Sequence, residues 1–575
     1  MTTAPVVLSS HPRSPELAPA DADDAARRAA FPVALVSMPF GPQAMPSIQL
    51  GLLASIARQA GFPVDTHHLG LELAVRIGAQ RYESIAGQGS EMGNWVFSRA
   101  AFGDEAPDPE ATRLPEIVAA SGVAPDQVDA TCDWLRHLRD DEVDPYLDEL
   151  MDSTDWGRYR VVGFTLTYQQ KTASFALAKR IKARWPHVQT LFGGANFDEP
   201  MGEAWMEAIG WIDLGINGEA DLALPELLMS LSAGKRPEGI AGVLHRDDDG
   251  GLVVEKSERA VDDLSWLPVP DYDEFFERAE RLGLLRAGPA RSVRLPFQAA
   301  RGCWWGEKSH CTFCGIADET LRYRTRPAAR VAEELAALTR RYRSFEFLNT
   351  DLILDLGHLE ELLGEFERTG VGYSFWWESK ANLSRQQVRG MRMGGLHTVQ
   401  PGIEALNSES LRLMRKGARA ATNVNLLRWC GYYGIDVKWN RIVGFPGETR
   451  DAITAEAAMM RSLWHLTPPG NAGGISLDRY SPLFEDEAQF PRRDLRPSPG
   501  FLAVYPPTVA AHRAAFSFEA ELDDTLPRSE YDSLFEAVTA WGAAFHARPR
   551  PRRSPPRTAS RTPSGGACRR ARPRS

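Results

Sequence analysis

This chain of 575 residues has no apolar run of about 18 or more residues, so we predict no membrane-spanning helix. Its six cysteines are too few for a disulfide framework, and three of them share one short segment. A net charge of −10 argues against a general nucleic-acid-binding protein. Residues 1–30 lack the basic start and apolar stretch of a secretory signal. We therefore expect a cytoplasmic protein of two to four domains without membrane or nucleic-acid partners.

The clustered cysteines are Cys303, Cys311 and Cys314, in the run Ala-Arg-Gly-Cys-Trp-Trp-Gly-Glu-Lys-Ser-His-Cys-Thr-Phe-Cys-Gly. Three thiolates can hold three irons of a 4Fe-4S cluster and leave the fourth iron open for a small molecule. A structural zinc ion needs four ligands, and the nearby fourth candidate, His310, adjoins Cys311. A redox dithiol of Cys311 and Cys314 leaves Cys303 unexplained. On spacing alone, zinc and a redox dithiol remain alternatives to the cluster.

Apolar strand-type runs alternate with helical patterns from residue 31 onward, in two series. The first series predicts an open parallel sheet, which binds ligands at the carboxyl ends of its strands. The second series begins with a strand over 294–300 that runs into the cysteine segment. Its later strands are predicted over 344–348, 372–377, 396–402, 436–443 and 474–479. Six strand–helix units of this kind predict a partial (β/α)6 barrel with its active face at the strand ends.

The chain is thus predicted to be an α/β protein with several parts. These are a disordered N-terminus (1–30), a Rossmann-like domain (31–257) with a helical insert at about 70–155, a linker (258–293), the partial barrel (294–485), a C-terminal region (486–546) and a disordered tail (547–575). The tail is rich in Arg, Pro and Ser and has no acidic residue, a composition typical of disorder. We assign it no function.

The string Arg-Gly-Cys-Trp-Trp-Gly-Glu-Lys-x-His-Cys-Thr-Phe-Cys-Gly resembles the cluster motif of radical S-adenosylmethionine (SAM) enzymes. The usual spacing in that superfamily is Cys-x3-Cys-x2-Cys, and the longer first gap here resembles one subgroup. That subgroup comprises cobalamin-dependent proteins that mature ribosomally made peptides, often as C-methyltransferases. The resemblance covers roughly residues 31–485. It implies a 4Fe-4S cluster on Cys303, Cys311 and Cys314, SAM on the open iron, and cobalamin in the Rossmann-like domain.

The resemblance also implies residues that approach SAM from successive barrel strands. Asn349 and Asp351 end the second strand, where the superfamily often has a Gly-Gly-Glu that binds the methionine amino group. This chain lacks that Gly-Gly-Glu. The segments 400–404 and 411–417 resemble the part of the fourth unit near the ribose, and 441–449 resembles the fifth-strand motif beside the adenine. The implied SAM-binding residues are Phe313, Asn349, Asp351, Glu378, Glu404, Gly444, Pro446 and Gly447.

Cobalamin is implied to lie at the ends of strands in the first domain. The implied contacts are Thr165, Leu166, Thr167, Tyr168, Gly193, Gly194, Asn196, Asn217, Gly218 and Glu219. Residues 65–70 match Asp-x-His-x-x-Gly, by which some proteins replace the base of cobalamin with histidine. Here that motif follows the second strand rather than the first, so we do not expect His67 to bind cobalt.

Several of these residues also have structural interpretations. The pair Gly193–Gly194 is consistent with a simple strand end, Thr165–Tyr168 with core and cap, and Glu404 with an ion pair to a neighbouring arginine. We expect Trp304 and Trp305 to pack over the cluster rather than contact substrate. The group Tyr323, Arg324 and Arg326 fits either a carboxylate-binding set or the basic start of a helix.

The function implied by the resemblance is methylation of an unactivated carbon in a precursor peptide. SAM would be cleaved after one electron arrives from a reduced flavodoxin or ferredoxin, and cobalamin would carry the transferred methyl group. The cobalamin domain should then cap the barrel mouth. Two alternatives stay open: a cobalamin-dependent radical SAM enzyme acting on a small natural-product intermediate, and a non-catalytic sensor that binds cobalamin or a cluster.

Overall fold

The computed structural model describes Leu17 and residues 19–547, apart from 88–90, 257–259 and 286–292. The elements below are those of the described ranges. The N-terminal unit has the strands β1 (Val33–Ser37), β2 (Val64–His68), β3 (Val161–Thr165), β4 (Gln189–Gly193), β5 (Leu214–Ile216), β6 (Val243–Arg246) and β7 (Leu252–Val254). Its helices are α1 (Ala22–Ala29), α2 (Ile48–Gln59), α3 (Gly70–Ile77), α4 (Ala79–Ala86), α5 (Met92–Phe102), α6 (Leu114–Ala120), α7 (Val128–His137), α8 (Val143–Ser153), α9 (Lys171–Arg184), α10 (Met201–Ala208) and α11 (Ala220–Ser232).

After α12 (Asp273–Arg281), the barrel has the strands β8 (Leu295–Phe297), β9 (Ala300–Arg301), β10 (Arg324–Thr325), β11 (Glu346–Asn349), β12 (Ser374–Glu378), β13 (Leu396–Gln400), β14 (Asp436–Val437), β15 (Arg441–Val443) and β16 (Ala472–Gly474). Its helices are α13 (Trp304–Lys308), α14 (Asp318–Leu321), α15 (Ala328–Tyr342), α16 (Leu356–Thr369), α17 (Arg385–Met393), α18 (Ser408–Leu413), α19 (Ala420–Tyr433) and α20 (Arg450–Met460). The C-terminal region has β17 (Leu477–Asp478), β18 (Arg492–Pro497), β19 (Ser517–Leu522), α21 (Pro482–Glu485), α22 (Pro499–Val504), α23 (Ala511–Ala514) and α24 (Asp532–His546).

The N-terminal sheet has the strand order β2-β1-β3-β4-β5-β6-β7. Strands β1 to β5 run parallel, and β6 and β7 are antiparallel additions. All five residues of β1 are buried, as expected for a parallel strand covered on both faces. Because the strand order reverses between β1 and β3, a crevice opens at their carboxyl ends. The predicted open α/β sheet is confirmed.

The first thirty residues are not wholly disordered, contrary to our prediction. Helix α1 begins after Asp21, whose side chain accepts the N–H of Asp24. Arg28 is buried and donates to the carbonyl oxygens of Leu17 and Ala60, each at 2.9 Å. Partners so distant in sequence cannot be recognised from local composition. Residues 1–16, residue 18 and the tail from 548 onward lie outside the described residues.

The predicted linker contains helix α12, which packs against the first domain through charged groups. Glu274 accepts from His68 Nδ1 at 2.7 Å, and Arg278 pairs with both Glu72 and Glu274. Phe275 and Ala279 on the same helix are buried in the core of the barrel. Helix α12 is therefore wedged between the two units.

The barrel consists of a five-stranded parallel sheet, ordered β14-β13-β12-β11-β8, and a separate parallel pair β15-β16. The predicted single strand over 436–443 is therefore wrong, because it is divided between two sheets. Trp439 is 4% exposed and donates its Nε1–H to Thr467 O, and Arg441 is fully buried against Glu448 and Glu456. Since both side chains bind partners outside the five-stranded sheet, the chain leaves it after Val437. Residues 474–479 likewise divide between β16 and β17.

The C-terminal region joins the barrel to the first domain. Strand β17 belongs to the antiparallel sheet β17-β19-β18. Helix α22 and the residue that follows it pack Phe501 and Tyr505 against Trp205, with ring centroids 6.1 and 5.0 Å apart. Arg513 pairs with Glu203 and Glu207 of α10, each at 2.6 Å. Within the described ranges, no helix has both the length and the apolar character needed to cross a bilayer.

We expect Arg441→Met to destabilise the barrel by about 3–5 kcal/mol, because two buried carboxylates lose their cation. Arg450→Met is the matched control: Arg450 is 70% exposed and pairs with Glu530, so its loss should cost far less stability than the loss of Arg441. Urea unfolding followed by tryptophan fluorescence measures both. Equal losses for the two variants would contradict the structural importance of the buried pair.

Candidate active site

The cysteine segment starts at the end of β9 and passes through α13. Gly302 has φ +76°, and a Cβ there would lie 2.1 Å from Arg322 O, so glycine is required at this turn. Cys303 caps α13, since its Sγ accepts the N–H of Gly306 at 3.3 Å. Thr312 N–H donates to Met414 O at 3.2 Å, which fixes the second half of the segment against the loop after α18. The segment is thus held in place by backbone contacts from both sides.

The three thiols are half-buried and influence one another electrostatically. Burial raises the pKa of Cys311, and burial together with nearby Cys311 raises the pKa of Cys314 to about 12. The charges of Lys416 and Lys380 oppose the rise at Cys311. Among the described residues, no group of three or more His, Cys, Asp or Glu side chains converges on a point that would hold a single metal ion. Three neighbouring thiols with two lysines beside them fit an anionic iron–sulfur cluster, whose irons bind deprotonated cysteines.

Inside the barrel, the charged side chains of Glu378, Glu404 and Lys416 lie close together. Lys416 Nζ is 3.4 Å from Glu404 Oε1. Burial, followed by the charge of Glu404, raises the pKa of Glu378 to about 7, while Lys416 opposes the rise. Glu404 has φ +56°, a strained backbone conformation for a residue other than glycine. The partner of Glu404 is thus a lysine from the 411–417 segment, not an arginine.

Trp304 and Trp305 connect the cysteine segment to neighbouring loops, and their packing over a cluster stays a prediction. Trp305 Nε1 donates to Arg415 O at 3.1 Å, and Trp304 Nε1 donates to Leu354 O at 3.3 Å. Lys380 Nζ lies 3.1 Å from the centroid of the Trp305 ring and donates to Lys416 O at 2.7 Å. Lys380 therefore connects the end of β12 to both the cysteine segment and the Lys416 loop.

Phe313 connects the cysteine segment to the fifth-strand motif. Its ring lies 5.8 Å from that of Phe445 in an edge-to-face contact. The loop around Phe445 is shaped by Glu448, whose Oε2 accepts the N–H groups of Gly444 and Phe445. Pro446 lies between these contacts, and Gly447 N–H donates to Asp524 O. The structure thus brings the predicted residue Phe313 to the 444–447 loop, which contains Gly444, Pro446 and Gly447.

Asn349 and Asp351 have structural contacts that the sequence did not predict. Asp351 Oδ1 accepts the N–H groups of Ala299 and Ala300, which precede the cysteine segment, at 2.8 and 2.9 Å. Asn349 Oδ1 accepts Asp351 N–H. Both side chains are buried, and Asn349 Nδ2 and Asp351 Oδ2 lack partners among the described residues. These carboxylate and amide groups position the cysteine segment, and their contact with SAM stays a prediction.

A cavity of about 250 Å³ lies at the carboxyl ends of the N-terminal strands. It is lined by apolar side chains such as Leu35, Leu53 and Leu191, and by Gln298 and Arg301 from the barrel. Gly194 has φ +106°, and a Cβ there would be 2.9 Å from Leu166 O. Thr165 Oγ1, on the cavity wall, is buried without a hydrogen-bond partner in the described part of the chain. An apolar cradle with an unpaired hydroxyl fits part of a large cofactor such as cobalamin.

The predicted cobalamin residues fall into two groups in the structure. Thr165, Gly193, Gly194, Gly218 and Glu219 line this cavity, and Leu166, Thr167, Asn196 and Asn217 do not. Thr167 Oγ1 instead donates to Gln170, and Asn217 Oδ1 is buried without a partner among the described residues. The side chain of Tyr168 lies outside the described structure.

Charged pairs join this cavity to the barrel. Arg301, two residues before Cys303, donates to both carboxylate oxygens of Asp221 at 2.7 and 3.0 Å. Arg324 donates to both oxygens of Glu219 at 3.0 and 2.6 Å. The carboxylate of Glu219 is thus engaged by the barrel, and its contact with cobalamin stays a prediction. Arg326 pairs with Glu334 inside the barrel, so Arg324 and Arg326 both pair with carboxylates of this chain.

The histidines of the Asp-x-His-x-x-Gly match are away from the cavity lining. His67 Nε2 is 3.3 Å from Tyr159 OH, and Arg278 donates to His67 Nδ1 at 3.2 Å. His68 Nε2 accepts Ser47 N–H at 3.0 Å. The ring nitrogens of His67 and His68 therefore have protein partners at the outer strand of the sheet.

Sequence reasoning missed Lys416, Lys380 and Arg301. Lys416 lies in the segment 411–417, which resembles the superfamily, and Lys380 follows a predicted strand, yet a lysine in the sequence gives no indication that its side chain points inward. Arg301 could have been noticed from its place two residues before Cys303. Its carboxylate partner, 80 residues away, is visible only in the folded chain.

Residues 298–459 match the family model described as the radical SAM superfamily. This segment, which contains the three cysteines, Glu378, Glu404 and the 444–447 loop, is a radical SAM domain. Domains of this superfamily carry a 4Fe-4S cluster and bind SAM, so the prediction of these two cofactors is confirmed.

Two curated proteins are similar to part of the chain. An uncharacterised methyltransferase of Pyrococcus horikoshii is 26% identical over 310 residues, covering 53% of this chain and 64% of the relative. A hopanoid C-3 methylase of Methylococcus capsulatus is 25% identical over 313 residues, covering 53% of this chain and 57% of the relative. The chain spans less than two thirds of the length of each.

Two solved structures share the fold across both domains. The radical SAM methyltransferase TsrM of Kitasatospora setae, with cobalamin and a 4Fe-4S cluster bound, has a TM-score of 0.56 at 17% identity, covering 88% of this chain and 91% of that chain. The cobalamin-dependent radical SAM enzyme OxsB, with aqua-cobalamin and SAM bound, has a TM-score of 0.59 at 12% identity, covering 89% and 66%. The predicted fold class, a Rossmann-like domain followed by a partial radical SAM barrel, is confirmed.

We expect Cys311→Ala to abolish binding of the cluster, because three thiolates are needed to hold three irons. Cys430→Ala, a buried cysteine on α19, is the control and should retain about four irons per chain after anaerobic reconstitution. Iron analysis and the visible absorbance of the cluster measure the difference. A wild-type protein without iron, or one that holds zinc at these thiols, would refute this site.

Glu378→Gln should stabilise the cofactor-free protein at pH 8 by up to about 3 kcal/mol, with little effect near pH 4.5. The folded-state pKa of Glu378, about 7, lies above the unfolded value of 4.5, so the folded protein loses stability as pH rises through this window. Glutamine carries no proton to lose. The measurement compares the melting temperatures of wild type, this variant and the exposed control Glu361→Gln at pH 5 and 8. A change in melting temperature that is the same at both pH values would contradict the raised pKa of Glu378.

Proposed function

We propose that this protein is a cobalamin-dependent radical SAM methyltransferase, and that its substrate is a ribosomally made precursor peptide. One observation carries the proposal. The radical SAM domain, with its half-buried thiols and inward-facing Glu404 and Lys416, is joined by ion pairs to an apolar cavity at the carboxyl ends of the N-terminal strands. A three-thiol site and an apolar cavity that meet at one domain boundary support a two-cofactor enzyme over a sensor.

Cys303, Cys311 and Cys314 would hold the cluster, and Phe313, Glu378, Glu404 and the 444–447 loop would surround SAM. The cavity beside Thr165, Gly193 and Gly194 would hold part of cobalamin. When bound, the cluster supplies an electron for cleavage of SAM, and cobalamin carries the methyl group.

The side chains of this chain would orient these groups and exclude water. Lys416 is half-buried and ion-paired to Glu404, so its position is constrained before any ligand binds. Lys380, packed on the Trp305 ring, places a second positive charge beside the thiols, which favours their deprotonated forms. The two tryptophans cover the cysteine segment and limit the access of water to the barrel interior.

A flavodoxin or ferredoxin is the proposed electron donor. The cysteine segment reaches the surface at Glu307 and Lys308, both exposed, so a reductant could approach the cluster from this side. No nucleic acid or membrane is proposed as a partner, and a cytoplasmic location remains our expectation.

A small-molecule substrate is the second candidate. One structure of TsrM is described with tryptophan as its substrate, and the Methylococcus capsulatus relative is named for a hopanoid. These names favour a small substrate, whereas the resemblance of the cysteine string favours a peptide. Mass spectrometry of a short peptide encoded beside this gene, co-expressed with the chain in a cobalamin-replete host, separates the two. Gain of one methyl group supports the peptide.

The methyltransferase proposal is tested on anaerobically reconstituted protein with SAM and dithionite. We expect both 5′-deoxyadenosine and S-adenosylhomocysteine, the products of SAM cleavage and of methyl loss. Absence of both products from protein that holds an intact cluster would favour the sensor.

Ala220→Trp, at the cavity wall, should reduce retained cobalamin by about tenfold or more through overpacking, with the iron content unchanged. Ala233→Trp, exposed at the other end of α11, is the control. The cobalamin absorbance after gel filtration measures both, and equal retention would place cobalamin elsewhere.

A further inference from the structure

Two lysines influence the thiols electrostatically, and a carboxylate neutralises one of them. Lys416 Nζ is 3.4 Å from Glu404 Oε1, so the charge of Lys416 is paired. Lys380 Nζ instead donates to Lys416 O at 2.7 Å and lies 3.1 Å from the centroid of the Trp305 ring. Within the described ranges, Lys380 forms no ion pair with a carboxylate, and none contributes to its pKa. Lys380 therefore brings an uncompensated positive charge to the cysteine segment.

The ring of Trp305 holds this charge in position. Trp305 follows Cys303 by two residues, and its Nε1–H donates to Arg415 O at 3.1 Å. A Cβ at Gly417 would clash with the Trp305 ring, so the loop 415–417 packs directly against the indole. Because the ring is held by this loop, the half-buried ammonium of Lys380 that lies on it has a constrained distance from the cysteine segment.

We propose that the charge of Lys380 sets the reduction potential of the iron–sulfur cluster, and with it the ease with which the electron donor reduces the cluster. The proposal rests on the proposed function for its electron donor. One electron leaves the reduced flavodoxin or ferredoxin, which is thereby oxidised, and enters the cluster; no bond forms or breaks. A cluster on three thiolates is anionic, and reduction adds one more negative charge. A fixed cation beside it stabilises that added charge.

The electrostatic influence between Lys380 and the thiols acts in both directions. Burial raises the pKa of Cys311, and the charges of Lys416 and Lys380 oppose that rise. Burial, followed by the charge of Lys416, lowers the pKa of Lys380 to about 8, while Cys311 and Cys303 oppose the decrease. The ammonium is thus protonated at pH 7. Lys308 also belongs to the cysteine segment but is exposed, so solvent and salt screen its charge more strongly.

The test measures the midpoint potential of the cluster at pH 7 without SAM, by anaerobic titration with dithionite followed by electron paramagnetic resonance. In Lys380→Met, the ratio of reduced to oxidised cluster at a fixed solution potential should fall at least about threefold. Lys380→Gln, which lacks the charge but can still donate to Lys416 O, should behave alike. Lys380→Arg keeps the charge and should stay close to wild type. Lys308→Met is the matched control and should change the ratio far less.

A change of opposite sign provides a second measurement. Glu404→Gln removes the carboxylate that neutralises Lys416 and should raise the ratio of reduced to oxidised cluster. This substitution is made in the Glu378→Gln background, so that Glu378 cannot ionise in place of Glu404. Opposite shifts for the loss of a cation and the loss of an anion are expected from charge, not from a loosened fold.

An unchanged potential in Lys380→Met and Lys380→Gln, with the iron content of wild type, would overturn the proposal. An equal shift in Lys380→Arg would also overturn it, because the position of Trp305 rather than the charge would then be responsible. Cleavage of SAM by the wild type reports separately on the proposed function. Normal cleavage with unchanged potentials refutes the role of Lys380 alone, whereas an iron-loaded protein unable to cleave SAM refutes the enzyme.

Discussion

The two α/β units meet through arginines that flank the cysteine segment. Arg301 binds Asp221 before the segment, and Arg324 binds Glu219 after it. Both carboxylates stand at the start of α11, directly after the carboxyl end of β5. A bidentate arginine–carboxylate pair fixes orientation as well as distance. The thiols therefore cannot shift far without disturbing the edge of the N-terminal cavity.

A second constraint acts inside the barrel, where charged groups are removed from water. Burial favours the neutral form of Glu378 and lowers the pKa of Lys380 to about 8. The Glu404–Lys416 pair and the contact of Lys380 with Trp305 compensate part of that cost. Such groups are unfavourable for stability and are characteristic of functional sites, where charge must be present before a ligand arrives. The C-terminal region adds a further contact between the units by packing Phe501 and Tyr505 against Trp205 of the first domain.

Much of the site could be predicted because its signals are local. The cysteine segment, the 441–449 string and the alternation of apolar strands with helices are each contained in short stretches of sequence. The predicted strand boundaries were wrong where a side chain has a partner far away in the sequence. Residues 436–443 were predicted as one strand. In the structure, Trp439 and Arg441 bind groups outside the five-stranded sheet, and the segment is divided between two sheets. Helix α1 was missed although Asp21 and the arginines of its last turn are local signals, and only its attachment through Arg28 to Ala60 depends on a distant contact.

The sequence by itself determined the chemistry available to this protein: three thiols on one loop, two α/β series in order, and a glycine-rich fifth-strand motif. Each of these depends on residue type and spacing along the chain. Tertiary structure decided how the units face each other, which carboxylates are taken up by arginines, and that Lys380 and Lys416 stand beside the thiols. These features depend on contacts between residues far apart in the chain, which no local periodicity records.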